Sequence, residues 1–300
     1  MNPVTKGYLR LTRPANLPTS AADILAGTAI SGVFMHATLG ESSSVNNIEH
    51  ILILIMSSVL LYAAGVVLND VFDYKIDKTE RPERPIPSGL VPLRSAAIFG
   101  GVLMALGAGI AFLVNPLSGL TATALGLVIL LYDSLAKHHG FFGPLTMGTC
   151  RGINLLLGIS ILGSFNYWWC VSIPIVYIAA ITLISRGEVY GNNKKHILFA
   201  ATLYASVILG VLLLFVTADL NVLQALPFLV LFAILVYRPL MKAYKINSPE
   251  NIKNAVVAGV LSIIVLDATL VVGFSYWWVG LPTLLLLPLS KFLSKLFAVT

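Results

Sequence analysis

Ten apolar segments divide this chain, and they leave few folds open. They are Pro18–Met35, Ile51–Val71, Ala96–Val114, Leu117–Leu131, Leu145–Leu162, Trp168–Ile184, Ile197–Val216, Leu223–Val236, Ala255–Val272 and Trp277–Leu289. A hydrocarbon layer about 30 Å thick takes roughly 20 residues at 1.5 Å each, and most segments approach that length. Backbone polar groups in lipid must be satisfied within the segment, which selects helices. The 300 residues are 57% hydrophobic and 11% charged, so a soluble core is excluded. The expectation is all-α: a polytopic transmembrane helical bundle of nine to ten spans, one domain over 1–300. The last segment is short and carries Pro282 and Pro288, so a broken or re-entrant piece is expected there.

Charge orients the bundle. The Lys and Arg residues gather at one set of segment ends: Lys6, Arg10 and Arg13, then Lys75 to Arg94, Lys137, Arg186 to Lys195, Arg238 to Lys253, and Lys291 and Lys295. Arg151, inside the fifth segment, stands apart. The opposite loops carry neither residue. The positive-inside rule then puts both termini in the cytoplasm. The net charge of +6 reflects this orientation and contact with anionic membrane lipids, not nucleic acid. Trp168, Trp169, Trp277 and Trp278 read as an aromatic belt on the far side. Met1 to Arg13 lacks the pattern of a cleaved signal peptide. Cys150 and Cys170 suggest neither a disulfide framework nor a metal site.

At the end of the second segment stands Asn69-Asp70-Val71-Phe72-Asp73-Tyr74-Lys75-Ile76-Asp77. Asn69, Asp70, Asp73 and Asp77 fall near one side of a helix and span roughly 12 Å. A carboxylate at mid-membrane costs about 2.5–3.5 kcal/mol, and like charges so spaced repel even at the edge. A cation therefore belongs there. Hard oxygen donors without nearby Cys or His favour Mg²⁺, which bridges carboxylates to phosphate groups. The proline-stiffened loop Lys78 to Gly89 follows, and its arginines can grip phosphate oxygens bidentately.

These residues resemble the first signature of the UbiA superfamily of intramembrane prenyltransferases. That signature is N-D-x-x-D-x-x-x-D followed by P-x-R-P-I-x-x-G, matched here by Asn69, Asp70, Asp73, Asp77 and Arg84-Pro85-Ile86-Pro87-Ser88-Gly89. Arg13-Pro14-x-Asn16 at the mouth of span one and Lys137 after span four agree as well. The resemblance implies a UbiA-like prenyltransferase fold, a helical bundle enclosing a pocket open to lipid. It implies that Mg²⁺ holds a prenyl diphosphate and that the prenyl group passes to a hydrophobic acceptor, aromatic or lipid-like. On it, Asn69, Asp70, Asp73 and Asp77 are the first metal site, and Arg84, Lys137 and Arg186 bind diphosphate.

Three departures stand out. The family's second motif, D-x-x-x-D after span six, is replaced by Glu188 and Asn192 within Ser185-Arg186-Gly187-Glu188-Val189-Tyr190-Gly191-Asn192. These two are the expected second metal ligands, with one acid fewer. The string Ser-Arg-Gly-Glu-Val resembles the EboC-like branch. The family's Tyr-x-x-x-Lys is offset, since Tyr132 stands five residues before Lys137. The family has nine spans, and a tenth segment is present here.

Polar residues inside the spans need partners or a cavity. Arg151 and Asn154 are expected to line the pocket, with an Arg151–Asp133 pair as the alternative. Asn16 belongs at the pocket mouth, and so does Asp23. Asp267 either binds acceptor or joins helices. Phe72, Tyr74 and Tyr132 are the rings available to stabilise a cation, with ordinary packing as the other role. Gly100, Gly101, Gly107 and Gly109 allow close helix packing. Two other functions fit parts of the pattern. One is a fold that binds prenyl diphosphate without turnover, suggested by the depleted second motif. The other is a transporter, suggested by a weak internal repeat. The D-G-x-x-A-R pattern of CDP-alcohol transferases is absent.

Overall fold

The computed structural model describes residues 2–36, 44–188, 191 and 193–297. Among these residues the regular structure is entirely helical. A short helix α1 (Pro3–Leu11) opens the chain, its N-terminus capped by the Asn2 side chain, which accepts the Val4 N–H at 3.0 Å. Leu11 at its end packs with Val67, Ile86, Val91 and Ala96. That cluster fastens the proline-rich loop to the bundle.

The first apolar segment splits in two. α2 (Leu17–Ile30) and α3 (Val33–His36) are separated at Gly32, whose φ of 90° needs a residue without Cβ. The chain continues through α4 (Ser44–Phe72), α5 (Tyr74–Glu80), α6 (Leu93–Ala111), α7 (Pro116–Leu131) and α8 (Phe142–Ile159). Then follow α9 (Ser172–Ser185), α10 (Lys194–Thr217), α11 (Val222–Lys245), α12 (Pro249–Phe274) and α13 (Trp277–Leu296). Among the described residues nine helices, α4 and α6 to α13, are long and apolar enough to cross a membrane. With the shorter α2 they account for all ten apolar segments. The protein is an integral, multi-pass membrane protein.

The expected break in the last segment is absent. α13 runs as one helix past Pro282 and Pro288. Neighbouring turns in a packed membrane helix tolerate the missing N–H groups. Its first turns sit against α12, where Val272 touches Gly280.

α2 and α12 form the centre of the bundle. Nearly every residue of α2 is buried, and so is most of the membrane window of α12. α2 meets α8 where Gly27 and Gly158 face one another, so closely that a Cβ on either would overlap the other helix's backbone. Two helices so matched approach through small residues. Gly100 and Gly107 likewise abut Leu68 and Leu61 of α4, whereas Gly101 and Gly109 face open space and serve no such contact. Exposed Leu106, Leu127, Leu213 and Leu285 turn outward, as lipid-facing positions do.

Candidate functional site

α4 carries Asn69 and Asp70 at its C-terminal end. The helix pauses at Asp73 and resumes as α5, which holds Asp77. Helical hydrogen bonds cross the pause, Asp73 N–H to the Asn69 carbonyl at 2.9 Å and Asp77 N–H to that of Asp73 at 2.8 Å. The four side chains therefore keep the near one-sided arrangement their spacing predicts, although the helix is interrupted.

Each aspartate meets a cation. Asp70 Oδ1 accepts from Arg13 at 2.7 Å and from Arg84 at 3.2 Å. Arg84 also donates to Asp77 Oδ2 at 2.6 Å. Lys137 Nζ lies 2.5 Å from Asp73 Oδ1. The Asn69 amide donates to Asp133 Oδ1 at 2.8 Å. Asp70 and Asp77 are buried, so these pairs are shielded from the screening that weakens surface ion pairs.

The donors suit Mg²⁺ in kind. Every one of these pairs uses a single oxygen of its aspartate, and Asp70 Oδ2, Asp73 Oδ2 and Asp77 Oδ1 have no ion pair among the described residues. No three His, Cys, Asp or Glu side chains among the described residues converge into a ready-made ligand set. Mg²⁺ is ordinarily held by one or two carboxylates, with water and substrate phosphates completing its shell, so the set fits that ion.

The offset of Tyr132 and Lys137 has a structural cause. Tyr132–Ala136 forms a π turn, closed by the Lys137 N–H to Tyr132 carbonyl bond at 3.0 Å. An i→i+5 bond accommodates one residue more than an α turn. Lys137 thus stands one turn beyond Tyr132 and reaches Asp73 despite the longer spacing.

Beside this cluster a cavity of about 310 Å³ extends into the bundle. Arg13, Asn16, Asn69, Tyr132 and Asp133 line one end, and Thr19, Ser20, Ser58, Arg151 and Asn154 add polar wall. Tyr62, Val66, Leu125, Ile129, Met147 and Ile263 supply apolar surface. Asn16, Arg151 and Asn154 line the cavity as the sequence predicts. Arg151 does not pair with Asp133. Its Nε lies 2.7 Å from Asp23 Oδ2, and it donates to the Thr19 carbonyl. Asn154 donates to the same Asp23 oxygen at 2.7 Å and accepts from Ser58 at 2.7 Å. Asp23 is therefore a buried anchor for Arg151, not part of the mouth. Asp267 of α12 is also buried and lies outside the cavity lining. Burial without a cavity wall decides both cases.

Of the three rings named for a cation, Tyr132 alone lines the cavity. Phe72 is largely exposed and Tyr74 packs with Leu11 and Ile86, so neither faces the cavity. Tyr132 does, with Tyr62, whose place in the middle of an apolar run carried no signal. Arg13 is the cation that the sequence reading noted in a motif without giving it a role.

The second charged station is less assembled. Glu188 is half-buried at the end of α9, near Lys253 and Arg81. Burial raises its carboxyl above the usual glutamate range, and the two cations offset part of that rise. Arg186 is exposed and donates to the Gly140 carbonyl, outside the cavity lining. Asn192 lies outside the described residues.

Residues 25–250 match the model of the UbiA prenyltransferase family. A digeranylgeranylglyceryl phosphate synthase of Methanococcoides burtonii is 37% identical over 159 residues, 53% of this chain and 56% of that protein. The chain spans about half the length of the curated relatives it matches. A UbiA homolog from Aeropyrum pernix superposes with a TM-score of 0.66 at 16% identity, over 85% of this chain and 97% of that one. Another from Archaeoglobus fulgidus, bound to GPP and Mg²⁺, gives 0.61 at 14% identity, over 88% and 99%. These likenesses carry the fold, and the family match extends over three-quarters of the chain. The chain belongs to the UbiA prenyltransferase family.

Proposed function

We propose that this protein transfers a prenyl group from a prenyl diphosphate to a small acceptor, aromatic or lipid-like, inside the membrane, with Mg²⁺. The observation that carries the reading is a membrane-embedded cavity opening beside three aspartates, each paired to a cation through one oxygen only.

Asn69, Asp70, Asp73 and Asp77 would hold a first Mg²⁺. Glu188 with Asn192 would hold a second. Bound Mg²⁺ compensates the charge that develops on the departing diphosphate. Arg84 and Lys137 stand close enough to the aspartates to share that diphosphate, and Arg13 joins them from the cavity side. Arg186 belongs to the diphosphate set by sequence, and its reach would have to shift from Gly140. Asn16, Arg151 and Asn154 would contact the substrates from the wall. The apolar cavity keeps water from the allylic cation formed when the C–O bond breaks, and the faces of Tyr62 and Tyr132 favour positive charge beside them. The clustering of Lys and Arg at one set of helix ends supports a cytoplasmic active site with both termini on that side.

The test is Mg²⁺-dependent diphosphate release from geranyl, farnesyl and geranylgeranyl diphosphate by the purified protein in lipid, with a membrane extract as acceptor source. Release that vanishes with EDTA supports transfer. Saturable Mg²⁺-dependent binding without release would mean a fold that binds without turnover. Neither binding nor release would overturn the reading and favour transport.

A further inference from the structure

A second cavity, of about 240 Å³, opens on the face opposite the aspartate cluster. Three membrane helices end at it. Ile30 and Ser31 close α2, Asp219 and Leu220 follow α10, and Gly273 and Phe274 close α12, and all six line the cavity. Each helix presents its C-terminal end, whose unsatisfied carbonyls amount to about half a negative charge. A basic residue in the last turn is the usual remedy, and none of the three has one. α11 starts beside them at Val222, and its first N–H groups offset one of these ends at most. Asp219 adds a full charge. Its side chain is exposed, lines the cavity and has no ion pair among the described residues. The loops on this face carry neither Lys nor Arg. The cavity is therefore a concave, negative surface that the chain itself does not neutralise.

The lining also sets the kind of cation. Tyr167 and Phe274 stand edge to face, 5.3 Å between ring centroids, and both belong to the cavity. Ring faces attract organic ammonium groups. A bare metal ion is far smaller than this space, and one carboxylate falls short of the about six to eight oxygens that Ca²⁺ takes. Tyr167 also packs on Trp169, 5.3 Å away in the aromatic belt, so the cavity lies at the depth of lipid headgroups. Tyr167 and Asp219 both hold left-handed backbone, with φ of 53° and 51°. Non-glycine residues rarely adopt it, and such positions gather at ligand sites. Arg13, the other non-glycine residue of this kind among the described residues, lines the first cavity. We propose that the second cavity binds the ammonium group of a zwitterionic lipid headgroup from the adjoining leaflet, with Asp219 as its counter-charge and Tyr167 and Phe274 as its aromatic wall. The site is independent of the prenyl-transfer reading.

The test is native mass spectrometry of the purified, delipidated full chain, titrated with phosphatidylethanolamine and with phosphatidylglycerol of the same acyl chains. The wild type is expected to retain phosphatidylethanolamine about fivefold better than Asp219→Asn does. Asn tolerates left-handed backbone, so this variant should fold, and melting in detergent checks it. Phosphatidylglycerol has no ammonium group, and the two proteins should bind it equally. Glu49→Gln removes an exposed carboxylate from the same face outside the cavity, and it should behave as the wild type. Equal retention of phosphatidylethanolamine by the wild type and folded Asp219→Asn overturns the proposal. An equal loss in Glu49→Gln does so too, since surface charge alone would then explain the preference. A third arm adds ethanolamine hydrochloride or CaCl₂ without lipid. If either raises the melting of the wild type but not of Asp219→Asn, while the lipid preference is missing, the cavity takes a free cation and the lipid assignment falls.

Discussion

Lys137 and Asp73 join two helices beside the cavity, their charged atoms 2.5 Å apart at the end of a π turn on one side and at a helix pause on the other. Both partners come from irregular backbone. The pair engages one oxygen of the aspartate, and the lysine side chain is almost wholly buried.

Asp73→Ala is therefore expected to abolish turnover, with the bundle intact. Lys137→Met should lower kcat by on the order of 10²-fold, the usual consequence of removing one charge-stabilising donor. Diphosphate release at saturating prenyl diphosphate, with thermal melting in detergent as the fold control, checks both. Near-normal release in Asp73→Ala would remove the centre of the proposed site.

Glu188→Gln should act more gently than Asp73→Ala. Its carboxyl is acted on by Lys253 and Arg81 and lies outside the cavity lining, and in the proposed site it would serve the second metal only. The expected signature is a higher Mg²⁺ concentration for half-maximal release. An unchanged Mg²⁺ titration would exclude Glu188 as a ligand.

The Asp23–Arg151 pair makes a sharper claim about stability. Removing one partner leaves a buried charge unmatched, at a cost of about 3–5 kcal/mol. Arg151→Met and Asp23→Leu should each lower the melting temperature strongly, and the double variant should recover part of the loss. Strictly additive losses would show that the two side chains do not act as a pair.

Gly27→Val tests the crossing of α2 and α8. The added side chain must displace the backbone of Leu155 and Gly158, since no flexible side-chain end lies in the way. Overpacking of this kind costs about 1–3 kcal/mol. Gly109→Ala on α6 faces open space and should leave melting unchanged.

Much of the fold was legible because lipid imposes a simple code of length and hydropathy. Ten segments stood out, and only their interruptions were misread. Pro282 and Pro288 suggested a break that a packed helix absorbs, and the real break fell at Gly32, whose backbone angle leaves no mark on hydropathy. The Asn69 to Asp77 spacing foretold the arrangement of those side chains because it is local. The partners of Arg151 were not local. Asp23 lies 128 positions away, on a helix whose neighbour is set by glycine packing. The π turn was visible only as an awkward spacing between Tyr132 and Lys137. Its other product, the buried Asp133 among the cavity-lining residues, depends on a backbone hydrogen bond that no residue type announces.

The central position of α2 bears on how this chain enters the membrane. The helix has 14 residues, about 21 Å of rise, and includes Asp23 with several hydroxyl side chains. Alone in lipid it is too short to span and carries an unmatched charge. Its guanidinium partner is synthesised on α8, and two further helices that pack on it, α12 and α13, come later still. This apolar segment thus leaves the ribosome before the helices that complete its surroundings. A helix of this kind is expected to wait at the translocon, or at the bilayer surface, until α8 and the helices after it have been made.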